Sequence, residues 1–453
     1  MPLSSSKIAV LQTASAEAIN SSTARALKHI SKGQWLALRN RYRVATIKSI
    51  EDDHHNQSLN SRQLAEYIAV SAPLHCCDGW AFLGRAVGCL LHGDPDSARH
   101  LAYYAELRAT IALLATQGVG IFNSRHFVIN KSGSAALLTK AKTHTAAWEV
   151  LEAWSELPAA SNFLGEILRP AGQPISQWVT SMPNGASWQP IATDWLLKLG
   201  LDLQRLSLDR DTRNEASYRP THLNRRVSLT AMEAAASAHE IWSLLEPAPP
   251  LPFGEIDRYL LRLTLETAFQ ATEGVSVLRA RTKFSSAVAE MVAVNVASAD
   301  ATLWEEFLSR SIDPTDPGII DRVRFRPKAT KNFSASMEVR RTDHHLSMMA
   351  RALLLLRVAS GATRQMLVNG GVNFDDLAFW WRPYGTDRGL WIHPPPAAHI
   401  TDVWADTESS LLDIDEWLKR GAPDSWRGLL SEVPASLTGL TSLEMVGLWS
   451  LAS

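Results

Sequence analysis

The chain has 453 residues, enough for more than one domain, and an ordinary globular composition: 46% apolar and 20% charged. A formal net charge of −1 excludes polyanion binding driven by overall charge, so any affinity for nucleic acid must be local. Cys76, Cys77 and Cys89 are too few for a disulfide framework and lack zinc-ligand spacing; they read as free thiols in a reducing compartment.

The first twenty residues contain no charged region followed by a sustained apolar run, so no secretory signal is expected. Residues 1–60 mix short helical patterns with polar stretches. The pattern predicts a helix from Arg62 to Leu91, then a turn at 92–97 with Asp94 as N-cap and Pro95 at the first helical position. A helix over 98–117 carries Tyr104, Leu107, Ile111 and Leu114 on one face and ends at Gln117-Gly118. GIFNSRHFVINKSG (120–133) predicts a strand or extended pair, with helix resuming from Ala135 to Leu157. Residues 158–225 read as irregular connections around a short helix near Thr193–Leu201. Thr230 opens an alanine-rich helix reaching Leu245.

Residues 246–252 (EPAPPLP) form a Pro-rich linker, which predicts an N-terminal helical domain over 1–245 and a C-terminal one over 253–453. Helices are expected near 255–272, 274–298 and 301–310, a short strand at 321–327, and a helix over 342–368 that stops at Asn369-Gly370-Gly371. The tail holds FWW at 379–381 and a helix near Ser409–Lys419. The expected fold class is mainly α: multi-helix bundles with a few short strand pairs. The most apolar helix, Met348–Ala359, is interrupted by Arg351 and Arg357. No segment has the roughly 18–20 uninterrupted apolar residues of a bilayer span, so a cytoplasmic protein without a membrane partner is expected.

Residues 64–91, LAEYIAVSAPLHCCDGWAFLGRAVGCLL, carry a Ser71-Ala72-Pro73-Leu74 turn and then an aromatic-Leu-Gly step, Phe82-Leu83-Gly84. This segment resembles the bacterial YaaC-like family, within the HEPN-like group of helical proteins, over about residues 60–120, with helical pattern continuing to 157. The resemblance implies helical-bundle architecture and a link to bacterial RNA cleavage or anti-phage defence. It implies no substrate.

HEPN ribonucleases converge an Arg and a His, separated by about four to six residues, on one phosphodiester, the Arg countering charge and the His moving protons. Arg340 and His345 fit this spacing where a loop enters a helix, whose first N–H groups attract anions. The competing reading makes Asp343 an N-cap and His345 a core residue on the face of Met349, Ala352 and Leu356. Arg85 and His92 lie about 10 Å apart along an unbroken helix and read as an ordinary arginine on a packed helix and a histidine near its C-terminus.

Two basic segments offer phosphate contacts. Residues 25–48 hold Arg39, Arg41 and Arg43 among seven cations and no acid; residues 322–341 hold Arg322, Arg324, Arg326 and Lys328, the three arginines on one side of a strand. The competing readings are solvated faces, or pairing with the acidic tail from Asp402 to Glu416. Asp52-Asp53-His54-His55 is a polar run without metal-site spacing. Tyr103 and Tyr104 with Glu106 and Arg108 read as a hydrogen-bonded helix contact. HExxH, CxxC pairs, GxxxxGK[ST], GxGxxG and GxSxG are absent, so no cofactor or metal is expected. The expected function is that of a non-catalytic or accessory helical protein acting through a protein partner or a second copy, as in an anti-phage system. The alternatives are a metal-independent HEPN-like ribonuclease using Arg340 and His345, and nucleic-acid binding without cleavage.

Overall fold

The computed structural model describes residues 3–183, 185–192, 229–248, 253–310, 344–421 and 425–452. Its elements begin with α1 (Ser5–Leu11), α2 (Ala16–Ile30), α3 (Thr46–His55), α4 (Ser61–Leu91) and α5 (Pro95–Thr116). Strands β1 (Val119–Gly120), β2 (His126–Ile129) and β3 (Ala135–Thr139) follow, then α6 (Thr143–Ser155), α7 (Pro158–Ile167) and α8 (Ile175–Thr180). Next come α9 (Ala231–Ser243), α10 (Glu255–Glu273), α11 (Arg281–Asn295), α12 (Ala301–Ser309) and α13 (His344–Asn369). The last are α14 (Ala378–Asp387), α15 (Trp404–Lys419), α16 (Trp426–Glu432), α17 (Pro434–Leu440) and α18 (Glu444–Trp449). The protein is mainly α-helical, with one small antiparallel sheet among the described residues.

The centre of the fold is α5, packed between α4 and α13. Its alanines at 98, 102, 105, 109, 112 and 115 are all buried, and these short side chains let neighbouring helices approach closely. Gly79 of α4 serves the same crossing: a Cβ there would stand 2.6 Å from Leu356 Cδ2 and 3.3 Å from Arg108 Cβ. Asp94 caps α5 as expected, its Oδ1 accepting from Ser97 N at 3.0 Å, with Pro95 in the first turn. Thr230 and Glu233 close a capping box at the start of α9.

Helix α13 has the length and apolarity of a membrane span, yet 94% of its apolar window is buried inside the protein. Two of its three arginines are paired within the core. Arg351 Nε donates to Glu106 of α5 at 2.9 Å, and Arg357 grips Asp257 of α10 with two bonds of 2.6 and 2.8 Å. Helices from before and after residues 246–252 contribute to one continuous apolar core. Trp242 of α9 donates to Leu440 O at 2.8 Å, and Trp80 of α4 stacks on Phe253 with ring centroids 6.3 Å apart.

Several expectations are corrected. Ser71-Ala72-Pro73-Leu74 is no turn: α4 runs unbroken through Pro73. Residues Ala135–Thr139 form β3 rather than the start of a helix, because β2 offers them a pairing edge, Phe127 opposite Leu137 and Val128 opposite Ala136. The helix begins only at Thr143. Within 158–225, α7 and α8 are regular, α7 opening on Pro158 in its first turn. Residues 51–55 belong to α3 rather than to a loop. The expected helix near Thr193–Leu201 and the strand at 321–327 lie outside the described residues.

Candidate functional site

His345 lies in the first turn of α13 and is 1% exposed, which places its ring inside the core rather than at a surface a nucleic acid can reach. Arg340, Arg322, Arg324, Arg326 and Lys328 lie outside the described residues. Arg39, Arg41 and Arg43 are exposed as expected of a phosphate-binding segment or a solvated face. Arg41 also has a structural task, reaching Asp53 Oδ1 at 2.5 Å while the other oxygen of Asp53 accepts from Tyr42 Oη at 2.8 Å. This takes Asp53 out of the polar run 52–55 as a ligand. Arg85 is exposed, 5.3 Å from the Phe82 ring centroid, and His92 caps α4 with Nδ1 2.7 Å from Gly88 O. Among the described residues no three His, Cys, Asp or Glu side chains come together as metal ligands.

The structure instead opens a cleft on the α4–α5 pair. On α4, Tyr67, Ser71, His75 and Asp78 recur at helical spacing on one face; on α5, Tyr104, Arg108, Ile111 and Ala115 do the same. The segment 120–123 passes over one end, and Thr143-His144, opening α6, closes another side. Gly120 makes this passage feasible, since a Cβ there would stand 2.7 Å from Ile68 Cδ1. Thr143 ties α6 to the passing segment, its hydroxyl donating to Phe122 O at 2.7 Å. The enclosed volume is about 320 Å³, half-open to solvent, with Ile68, Leu107, Ile111 and Phe122 among its apolar walls.

Its polar end is ordered by Arg108. The guanidinium Nη1 donates to His75 Nδ1 at 2.6 Å and stands 3.6 Å from Asp78 Oδ2. Because arginine is a permanent donor without acceptor capacity, Nδ1 of His75 must carry a lone pair, leaving its proton on Nε2. Burial, and then the nearby Arg108 charge, push the His75 pKa down to about 3. His75 is therefore a neutral, fixed donor near pH 7. Burial raises the Asp78 carboxyl above its ordinary range, opposed by Arg108 and then by Arg85 and Arg388.

An aromatic group supports the cleft from behind. Tyr103 Oη lies 3.0 Å from His144 Nδ1 and accepts from Trp148 Nε1 at 3.3 Å. Tyr104 packs against Phe82 and His100, with ring centroids 5.5 and 5.1 Å away. Tyr103 makes a hydrogen-bonded helix–helix contact of the kind expected, from α5 to α6, while Glu106 bonds to Arg351 of α13 and Arg108 to His75 in the cleft. The signal for His75 was visible as polar residues four apart, 67, 71 and 75, along the apolar middle of α4. Nothing local pointed to His144.

No protein-family model, curated protein or solved structure matches this chain.

Proposed function

We propose that the protein is a non-catalytic helical binding protein, an accessory component that takes a small molecule into the α4–α5 cleft and acts through a protein partner. The observation that carries this reading is the head of the cleft, where Arg108 and His75 are locked to each other at 2.6 Å above apolar walls. General acid–base catalysis needs a group whose pKa lies near the working pH. A histidine held at about 3 by burial and Arg108 recognises a ligand but moves no proton at neutral pH. The cleft's size and its balance of apolar wall and few polar groups also suit small-molecule recognition. The stretch that resembles the YaaC-like family, 64–91, supplies Tyr67, Ser71 and His75.

A panel of small aromatic and aliphatic compounds, acids, amines and neutral molecules alike, screened by ligand-observed NMR on the full chain, tests this. Some compounds should bind, and Ser71→Trp, which fills the cleft, should abolish binding without lowering the melting temperature by more than a few degrees. An empty screen, or hits indifferent to Ser71→Trp, would sink the reading. Incubation with labelled RNA should give no cleavage by wild type or His345→Ala alike; metal-free cleavage lost on that substitution would restore the ribonuclease.

A second reading, nucleic-acid binding without cleavage, is favoured by one observation. Arg39 and Arg43 are exposed beside Leu38 and Val44, which are 69% and 89% exposed, a basic and apolar loop suited to backbone phosphates. Its affinity for single-stranded RNA should fall steeply with salt and with joint replacement of Arg39, Arg41 and Arg43 by Gln. Affinity indifferent to both rules it out.

A further inference from the structure

We propose that the ligand of the α4–α5 cleft is a small organic monoanion, an aromatic or branched aliphatic carboxylate bound head-first against Arg108 and His75. This inference rests on the reading of the cleft as a ligand site and narrows it to a chemical class.

Three observations converge. The first is the arrangement of donors. Arg108 spends Nη1 on His75, and among the described residues neither its Nη2 nor its Nε makes a hydrogen bond. His75 Nε2, which carries the ring proton, has no acceptor among the described residues either. Two neighbouring donor groups without acceptors at a cleft wall match the two oxygens of a carboxylate. The aliphatic hydroxyls of the lining are already committed: Ser71 donates to Ile68 O at 2.8 Å and Thr143 to Phe122 O at 2.7 Å. A ligand acceptor therefore finds Arg108 and His75, not these.

The second is charge. The groups facing the polar end are His75 and Asp78 from α4, Tyr104 and Arg108 from α5, and His144 from α6. Arg108 is the one permanent cation of the cleft lining, and Asp78 already shares it. One added negative charge can be balanced there, with Asp78, whose side chain is 53% exposed, turning to water. A phosphate dianion would bring two charges to the one cation of the lining, since Arg85 and Arg388 act on Asp78 from outside that lining and His75 stays neutral. A neutral amide would forgo the charge-assisted bond, the stronger kind.

The third is shape. The cleft holds about 320 Å³, at the small end of small-molecule sites. Beyond the polar end its walls are the rings of Tyr67 and Phe122, tilted at 38° with centroids 6.1 Å apart, and the branched side chains of Ile68 and Ile111. A body of one ring or a branched chain matches these walls.

The probes are phenylacetate, 2-phenylacetamide and phenyl phosphate, titrated into the full chain at pH 7 by calorimetry. Phenylacetate should bind at least about tenfold more tightly than the other two, the scale of one charge-assisted contact. Arg108→Gln should erase that preference. His75→Gln, which can still accept from Arg108 and donate into the cleft, should stay within about threefold of wild type, while His75→Leu should lose about tenfold or more. Asp78→Asn should tighten phenylacetate by removing its competitor. Melting temperatures of the unliganded variants separate lost recognition from lost folding, and the amide comparison on wild type needs no variant at all. Equal affinity for acid and amide, or a preference that survives Arg108→Gln, overturns the monoanion while leaving the cleft a ligand site. Tighter binding of phenyl phosphate overturns it in favour of a dianion. Failure of all three probes, alongside cleft binding of neutral compounds from the wider panel, overturns the monoanion alone; failure of the whole panel removes both.

Discussion

Arg351 stands in the middle of the most apolar helix of the protein at 1% side-chain exposure, and Glu106, equally buried, faces it at 2.9 Å. Removing one partner takes away an opposite charge from a buried group that water cannot reach. Glu106→Gln or Arg351→Met alone should therefore destabilise by about 3–5 kcal/mol, whereas the double replacement should recover most of that loss. Urea denaturation of the three variants checks this; single replacements costing under about 1 kcal/mol would mean that the pair does not hold α13 to α5. The two arginines were legible in the sequence as interruptions of an apolar run. Their partners were not, because Glu106 and Asp257 lie 245 and 100 residues away. Cysteine chemistry was easier to read. Cys76 and Cys77 are buried, and burial pushes the Cys76 thiol up to about 11, so thiol reagents at pH 8 should modify half-buried Cys89 first. Rapid labelling of all three in the folded protein would contradict this placement.

At the scale of elements, helices announced by caps and periodicity were legible to within a few residues, as with α5, α9 and α10. The misreadings were those where long-range pairing overrides local preference. Ala135-Ala136-Leu137-Leu138 has good helix formers, yet it completes the sheet because Gly133, at φ +80°, turns the chain back onto β2. The cleft escaped notice for the same reason, since it needs α4, α5, the 120–123 segment and α6 together. These elements bury neutral histidines. His126 accepts from Phe122 N at 3.0 Å through Nδ1 and donates to Ala141 O at 2.9 Å through Nε2, and burial lowers its pKa, as it does for His75. A lowered folded-state pKa means that below about 6.5 the unfolded chain binds protons that the folded chain refuses. The stabilisation is complete above that value and is lost as the pH falls below it toward the folded pKa. Thermal melts should therefore drop between pH 7 and pH 5, by on the order of 1–2 kcal/mol for His75. His75→Gln with His126→Gln should flatten the profile; an unchanged slope in that variant would assign the pH dependence elsewhere.

At the scale of the molecule, the Pro-rich stretch 246–252 joins two sets of helices that meet in a shared core. α13 covers one side of α5, Trp242 reaches α17, and α18 packs on α4, so each set supplies apolar surface that the other buries. An isolated 1–245 fragment would expose the α5 face that α13 covers, including alanines and leucines that are fully buried in the whole chain. Burial of that face is favourable by about 25 cal/mol per Å² of apolar surface, and the fragment forgoes it while still bearing the entropy cost of ordering α4 and α5. Expressed alone, 1–245 should bind a hydrophobic dye strongly and melt without cooperativity. The full chain, cut at a protease site inserted within 246–252, should stay associated and melt in one transition close to the intact protein. A 1–245 fragment that is monomeric, dye-silent and cooperative would instead show that the two sets fold as independent domains, with the α13–α5 contact a docking surface between them.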